Sequence, residues 1–122
     1  MLNRESILSI KDYKVKPLTV PEWNNETIYV RTMTGQDRDR FEYLAMQMAD
    51  DKEQMIGVRA KLAVMTICDE NGELLFTDAD LKALGDKSGV ALDRVFEAAQ
   101  EINRITDEEV EQLEKKSESA QS

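Results

Sequence analysis

Residues 62–68 read Leu-Ala-Val-Met-Thr-Ile-Cys, seven positions without a charge and with Thr66 as the only polar side chain. A helix that is apolar nearly all the way round has no face to offer water, so it runs through the middle of a core with other elements wrapped about it. We read Gln54 to Cys68 as that helix. The β-branched Val64, Thr66 and Ile67 argue for the losing alternative, a buried strand. The rest of the 122-residue chain, one domain's worth at roughly 100–150 residues per domain, must supply the wrapping.

The two ends of the chain supply it differently. Tyr13 to Val20 alternates Tyr13 with Val15, and Thr27 to Thr32 reads Thr-Ile-Tyr-Val-Arg-Thr, both β-forming runs. Pro21-Glu22-Trp23-Asn24-Asn25 between them is turn chemistry, so the N-terminal region is expected to be a β-hairpin. At Thr34 the period changes. Thr34 caps a helix running to about Asp50, with Phe41, Leu44, Ala45 and Met48 at i, i+3, i+4 and i+7. Asp69 to Glu73 is a turn around Asn71-Gly72, followed by the short apolar Leu74-Leu75-Phe76. Thr77 with Asp80 opens a short helix that Gly85 can close in the left-handed conformation. Ser88 caps a longer helix with Leu92, Val95, Phe96, Ala99 and Ile102 on one face. Thr106 with Glu109 starts an acidic helix that bears Val110 and Leu113. The expected fold is α+β, mainly α-helical: an N-terminal β-hairpin packed on a bundle of four to five helices. We read 1–116 as one domain, with 1–34 the hairpin region and 35–116 the helical region, and 117–122 as a disordered tail.

Chemistry is mostly excluded. The absence of histidine removes the commonest general base and metal ligand. Asp37 with Asp39, and Asp78 with Asp80, lie about 200° apart on a helix, so neither pair converges on a metal or a substrate. The Asp69–Glu73 loop lacks the residue order of a calcium loop. Cys68 ends an apolar run beside Asp69 and Glu70, surroundings that raise a thiol pKa and leave it inert. The five glycines are scattered and form no phosphate loop. No catalytic, cofactor-binding or metal-binding residue is expected, no small-molecule substrate, and no enzyme. A formal charge of −9 with no basic cluster argues against nucleic acid. The acid lies mainly after residue 40, where 19 acidic side chains face 9 basic ones, so this part should repel copies of itself and attract a basic partner. The first residues lead into no signal-peptide stretch, and nothing approaches the ~20 apolar residues of a membrane span. With a single cysteine, the expected setting is cytoplasmic, without membrane contact.

What remains is surface. On the helix after Thr34, Tyr43 and Met46 project at about 200° and 140° from Phe41, away from the core stripe. Either another element of the chain covers them or another protein does. Trp23 in its polar turn is divided in the same way between a lid on the core and a contact for a partner. Trp23, Tyr43 and Met46 are therefore the candidate partner-binding residues.

Several pieces in order carry a family likeness: Pro21-Glu22-Trp23; Val30-Arg31-Thr32-Met33-Thr34-Gly35 with Arg38-Asp39 and Phe41; Asp69-Glu70-Asn71-Gly72 leading to Leu75-Phe76 and Asp80; then Leu84 and the helix of Phe96. From about Leu2 to Leu113 the chain resembles the tail assembly chaperones of long-tailed (siphovirus-type) phages and their prophages. That resemblance implies a chaperone in the host cytoplasm that coats the helical tape-measure protein, keeps it soluble until tail-tube subunits replace it, and is absent from the mature virion. It also implies self-association, and a longer frameshifted form of which a chain ending at Ser122 would be the short version. Such a role needs apolar grooves of low selectivity and weak contacts multiplied over many copies. A structural tail-completion or connector protein and a small acidic adaptor are the rival readings.

Overall fold

The computed structural model describes residues 1–48 and 57–104, leaving aside the side chains of Ala45, Gln47 and Met48. Its elements run α1 (Arg4–Ser9), β1 (Val15–Val20), β2 (Glu26–Arg31), α2 (Gly35–Met48), α3 (Val58–Thr66), β3 (Ile67–Cys68), α4 (Leu81–Gly85) and α5 (Gly89–Ile102). The fold is α+β and mainly helical.

The hairpin forms as the alternation dictates. β1 and β2 pair antiparallel with Leu18 opposite Ile28 and Lys16 opposite Val30, which puts Leu18, Ile28 and Val30 on the face that meets the helices. The connection is a 3-10 turn, Pro21–Trp23, followed by Asn24 and Asn25 at φ 59° and 56°. Asparagine tolerates that left-handed conformation better than any other side chain, which is why two of them close the turn.

α3 lies where its composition requires, with Ala60, Leu62, Ala63, Val64 and Thr66 buried. It ends two residues before the expected Cys68. The Thr66 hydroxyl donates back to the Leu62 carbonyl at 2.7 Å, and Ile67 turns to φ −69°, ψ 126°. Ile67 and Cys68 then pair with Val30 and Tyr29 as a third strand, in the order β1-β2-β3. The helix and strand readings of this run are thus both realised in succession, because β-branched Ile67 loses little by leaving the helix and, with Cys68, gains an edge to pair with. The Asp69–Glu73 turn folds Leu74 back to bridge Cys68.

α5 packs across α3 and both hairpin strands. It buries Leu92, Val95 and Ala99, with Phe96 and Ile102 half-buried beside them. Two linked cores result. Ala60, Ala63, Ile67, Leu84, Leu92 and Val95 form one, and Val30, Phe41, Leu62, Ala98 and Ala99 the other.

Caps start the helices largely where the sequence places them. Thr34 Oγ1 accepts from the Asp37 amide at 3.1 Å, Thr77 and Asp80 form a reciprocal capping box ahead of α4, and Ser88 Oγ accepts from the Ala91 amide at 3.3 Å. One expectation is corrected. Gly85 is not left-handed: the chain leaves α4 through Asp86 at φ −83°, so the helix ends without needing glycine's freedom. Residues 4–9, to which no element was assigned from the sequence, form α1, started by an Asn3–Ser6 capping box. The expected ends of the first two long helices at Asp50 and Gln54, the helix after Thr106 and the tail 117–122 lie outside the described residues, as do the side chains of Ala45 and Met48. Among the described residues no helix is long and apolar enough to cross a membrane.

Candidate functional site

A concavity of about 490 Å³ opens between α2, α3 and the segment 74–81. Its floor is Val64 and Met65 of α3 with Leu74, Phe76 and Leu81, and Leu44 and Tyr43 stand along the α2 side. Charge sits on the rim, at Asp37, Arg40, Lys61 and Asp78, with Arg40 paired to Asp37 at 3.3 Å. A groove with an apolar floor and a charged rim suits an amphipathic helix better than a compact polar metabolite.

Tyr43 and Met46 are 61% and 65% exposed, on the side of α2 turned from buried Phe41. Tyr43 lines the groove, whereas Met46, three residues further along α2, is exposed and is not among its lining residues. Trp23 is half-buried against the first core. It also walls a second hollow of about 400 Å³ with Glu22, Phe76, Ala83, Leu84 and Lys87. Phe76 lies between the two hollows and belongs to both. The structure therefore places Tyr43 and Trp23 in two hollows that share Phe76, a juxtaposition with no counterpart in sequence spacing.

The remaining chemistry is structural. Asp69 Oδ1 accepts from the amides of Asn71 at 2.8 Å and Glu73 at 3.0 Å, so this carboxylate is spent on its own turn. Among the described residues no three metal-ligating side chains converge. Cys68 is buried, and burial pushes its thiol above the ordinary range, with the Arg31 charge working against that and Asp69 adding to it. Arg31 itself is buried, which sequence reasoning missed. Its Nη1 donates to the Gly72 carbonyl at 2.6 Å and its guanidinium lies 5.0 Å from the Tyr13 ring centroid. Gly72, at φ 86°, has no room for a side chain, since a Cβ would fall 2.2 Å from the Tyr13 ring. Tyr13, Arg31 and Gly72 thus clamp the root of the N-terminal segment onto the Asn-Gly turn.

Asn103 was likewise not legible. Its Oδ1 accepts from the Met33 amide at 2.6 Å and its Nδ2 donates to the Ala99 carbonyl at 2.9 Å. Its own carbonyl accepts from Arg38 at 3.0 Å. It fastens the end of α5 to the junction of β2 and α2, which sets the position of the face bearing Tyr43.

Residues 4–116 match the model of a protein family described as phage tail assembly chaperone. Among solved structures, that of the bacteriophage HK97 tail assembly chaperone superposes with a TM-score of 0.62 at 16% identity, covering 80% of this chain and 94% of the other. At that identity the likeness is one of fold. No curated protein matches the chain in sequence.

Proposed function

The chain belongs to the phage tail assembly chaperone family, and from that premise we propose that it binds the helical tape-measure protein and keeps it soluble while the tail is built. The observation that carries the proposal is the apolar groove lined by Tyr43, with exposed Met46 on the same helix: a client helix laid there would cover apolar surface that this chain leaves in water. Met65 in the floor and Met46 beyond it have flexible thioether side chains that adapt to varied apolar helices, as a chaperone coating a long client requires. Trp23, in the hollow that shares Phe76 with the groove, is the second contact. No bond is made or broken in this role. The protein would act in the bacterial cytoplasm, associate with copies of itself so that weak contacts add along the client, and leave before the virion is complete.

Co-expression with the tape-measure protein tests this directly. The client should move from the pellet to the soluble fraction with the wild-type chain, and stay in the pellet with a Tyr43→Lys, Met46→Lys variant that still folds. A client equally insoluble with and without the wild-type chain rejects the proposal. Recovery of this chain in purified virions would favour a structural tail component instead.

A further inference from the structure

The turn ahead of Leu74 carries a reactive dipeptide. Asn71-Gly72 is the one asparagine-glycine pair of the chain, since Asn3, Asn24, Asn25 and Asn103 are followed by Arg, Asn, Glu and Arg. A backbone nitrogen whose residue lacks a Cβ attacks the preceding side-chain amide with the least hindrance. In that reaction the Gly72 nitrogen gives its proton to solvent hydroxide and bonds to Asn71 Cγ, the C–N bond of the side-chain amide breaks, and ammonia leaves. Water then opens the cyclic imide. Addition at Cγ leaves an aspartate at position 71; addition at the main-chain carbonyl leaves an isoaspartate, whose backbone continues through Cγ with one extra carbon.

The fold holds both partners of this reaction apart. Asn71 is exposed and Gly72 buried. The Gly72 N–H donates to the Asp69 carbonyl at 3.0 Å, so the attacking nitrogen is engaged. The Gly72 carbonyl accepts from Arg31 Nη1 at 2.6 Å, and the Tyr13 ring fills the space where a Cβ would stand. On the other side the Asn71 amide donates to Asp69 Oδ1 at 2.8 Å. Bringing the Asn71 carboxamide onto the Gly72 nitrogen means rotating the backbone between these contacts, and they give way together. Tyr13 is also the root of the N-terminal arm, residues 1–12, and no residue of its helix α1 is buried. The ring that closes the space over Gly72 therefore hangs on a segment with little packing of its own.

We infer that Asn71 is a spontaneous modification site gated by the Tyr13–Arg31 clamp: release of the ring opens the turn, the Asn71 carboxamide reaches the Gly72 nitrogen, and conversion to isoaspartate makes the release permanent. The extra backbone carbon carries Gly72 away from its partners. Arg31, only 8% exposed, then loses the Gly72 carbonyl, and its Nε is already buried without a hydrogen-bond partner among the described residues. A buried guanidinium deprived of its acceptor is costly, so the modified turn does not close again. The inference is independent of the chaperone reading, because no client takes part.

Ageing the full chain in mildly alkaline buffer, followed by mass spectrometry of its proteolytic fragments, tests the inference. Position 71 should convert before any other asparagine, and about tenfold or more slowly than in a free peptide of residues 67–76. Tyr13→Ala and, separately, Arg31→Met should bring the rate severalfold toward that of the peptide; if Arg31→Met does not fold, Tyr13→Ala carries the test. Leu62→Ala weakens the core without touching the turn, and should leave the rate within about twofold of wild type while circular dichroism shows the chain folded. The isoaspartate form, isolated by chromatography, should unfold at lower urea than the unmodified chain. Conversion of the folded chain at the peptide's rate, Tyr13→Ala no faster than wild type, or another asparagine converting first overturns the inference. Acceleration by Leu62→Ala equal to that by Tyr13→Ala would assign the opening to global unfolding and overturn the gate, and an isoaspartate form as stable as the unmodified chain would overturn the permanent release.

Discussion

α1 and α3 use similar apolar residues to opposite ends. In α3 the residues Leu62, Ala63 and Val64 are buried, whereas in α1 the residues Ile7 and Leu8 stand in water. Each helix has what it needs locally. α1 has a complete capping box, and α3 begins at left-handed Gly57 without any side-chain cap. The contrast separates two sources of helix stability. Burial holds α3 in place without a cap, whereas capping starts α1 without a core.

The largest test of that contrast is deletion of buried volume. Leu62→Ala should lower stability to urea by about 2–5 kcal/mol, and Leu8→Ala should change it by less than about 0.5 kcal/mol. A comparable loss from Leu8→Ala would mean that the arm is part of the core and would break the comparison. The root of the arm comes next. Gly72→Ala should cost more than the roughly 1–2 kcal/mol of a left-handed non-glycine residue, because the new methyl also meets Tyr13. Adding Tyr13→Ala to Gly72→Ala should relieve the collision and leave only the backbone part. If the double variant is no better than strictly additive, the ring is not what closes the space around Gly72.

Capping provides a smaller and sharper discrimination. Ser88→Ala removes the cap of α5, which is packed in the core, and should lower global stability by about 1 kcal/mol. Asn3→Ala should leave the unfolding midpoint in place and raise hydrogen exchange only at the α1 amides. The smallest effect is that of Cys68. Its thiol pKa is raised by burial, so the folded state holds its proton to higher pH than the unfolded chain does. Below the ordinary thiol pKa of about 8.5 the contribution is complete, and as pH rises beyond that point stability declines until the folded thiol also ionises. Cys68→Ala should flatten this alkaline slope, measured as urea midpoints between pH 8 and 10; an unchanged slope would assign it to other groups.

Much of this was readable from local chemistry. The hairpin follows from alternation and the Pro-Glu-Trp-Asn-Asn turn, the caps at Thr34, Thr77 and Ser88 from residue type and position, and the exposed side of α2 from the helical angle between Phe41 and Tyr43. Three features were not. The switch of Ile67 and Cys68 from helix to strand depends on an open edge at Val30 and Tyr29, which lies far away in sequence. The groove exists because Phe76 returns beside α3. The burial of Arg31 requires Tyr13 and Gly72 to meet over it.

The sequence alone determined where α2 and α5 begin, which faces are apolar, and the separation of a slightly basic N-terminus from an acidic remainder, because period, capping and charge act over a few residues at a time. Only the tertiary structure decided which apolar faces find partners. Packing couples residues remote along the chain, and it buried Ala60, Leu62, Ala63 and Thr66 of α3 while leaving α1 and the groove beside Tyr43 open to water.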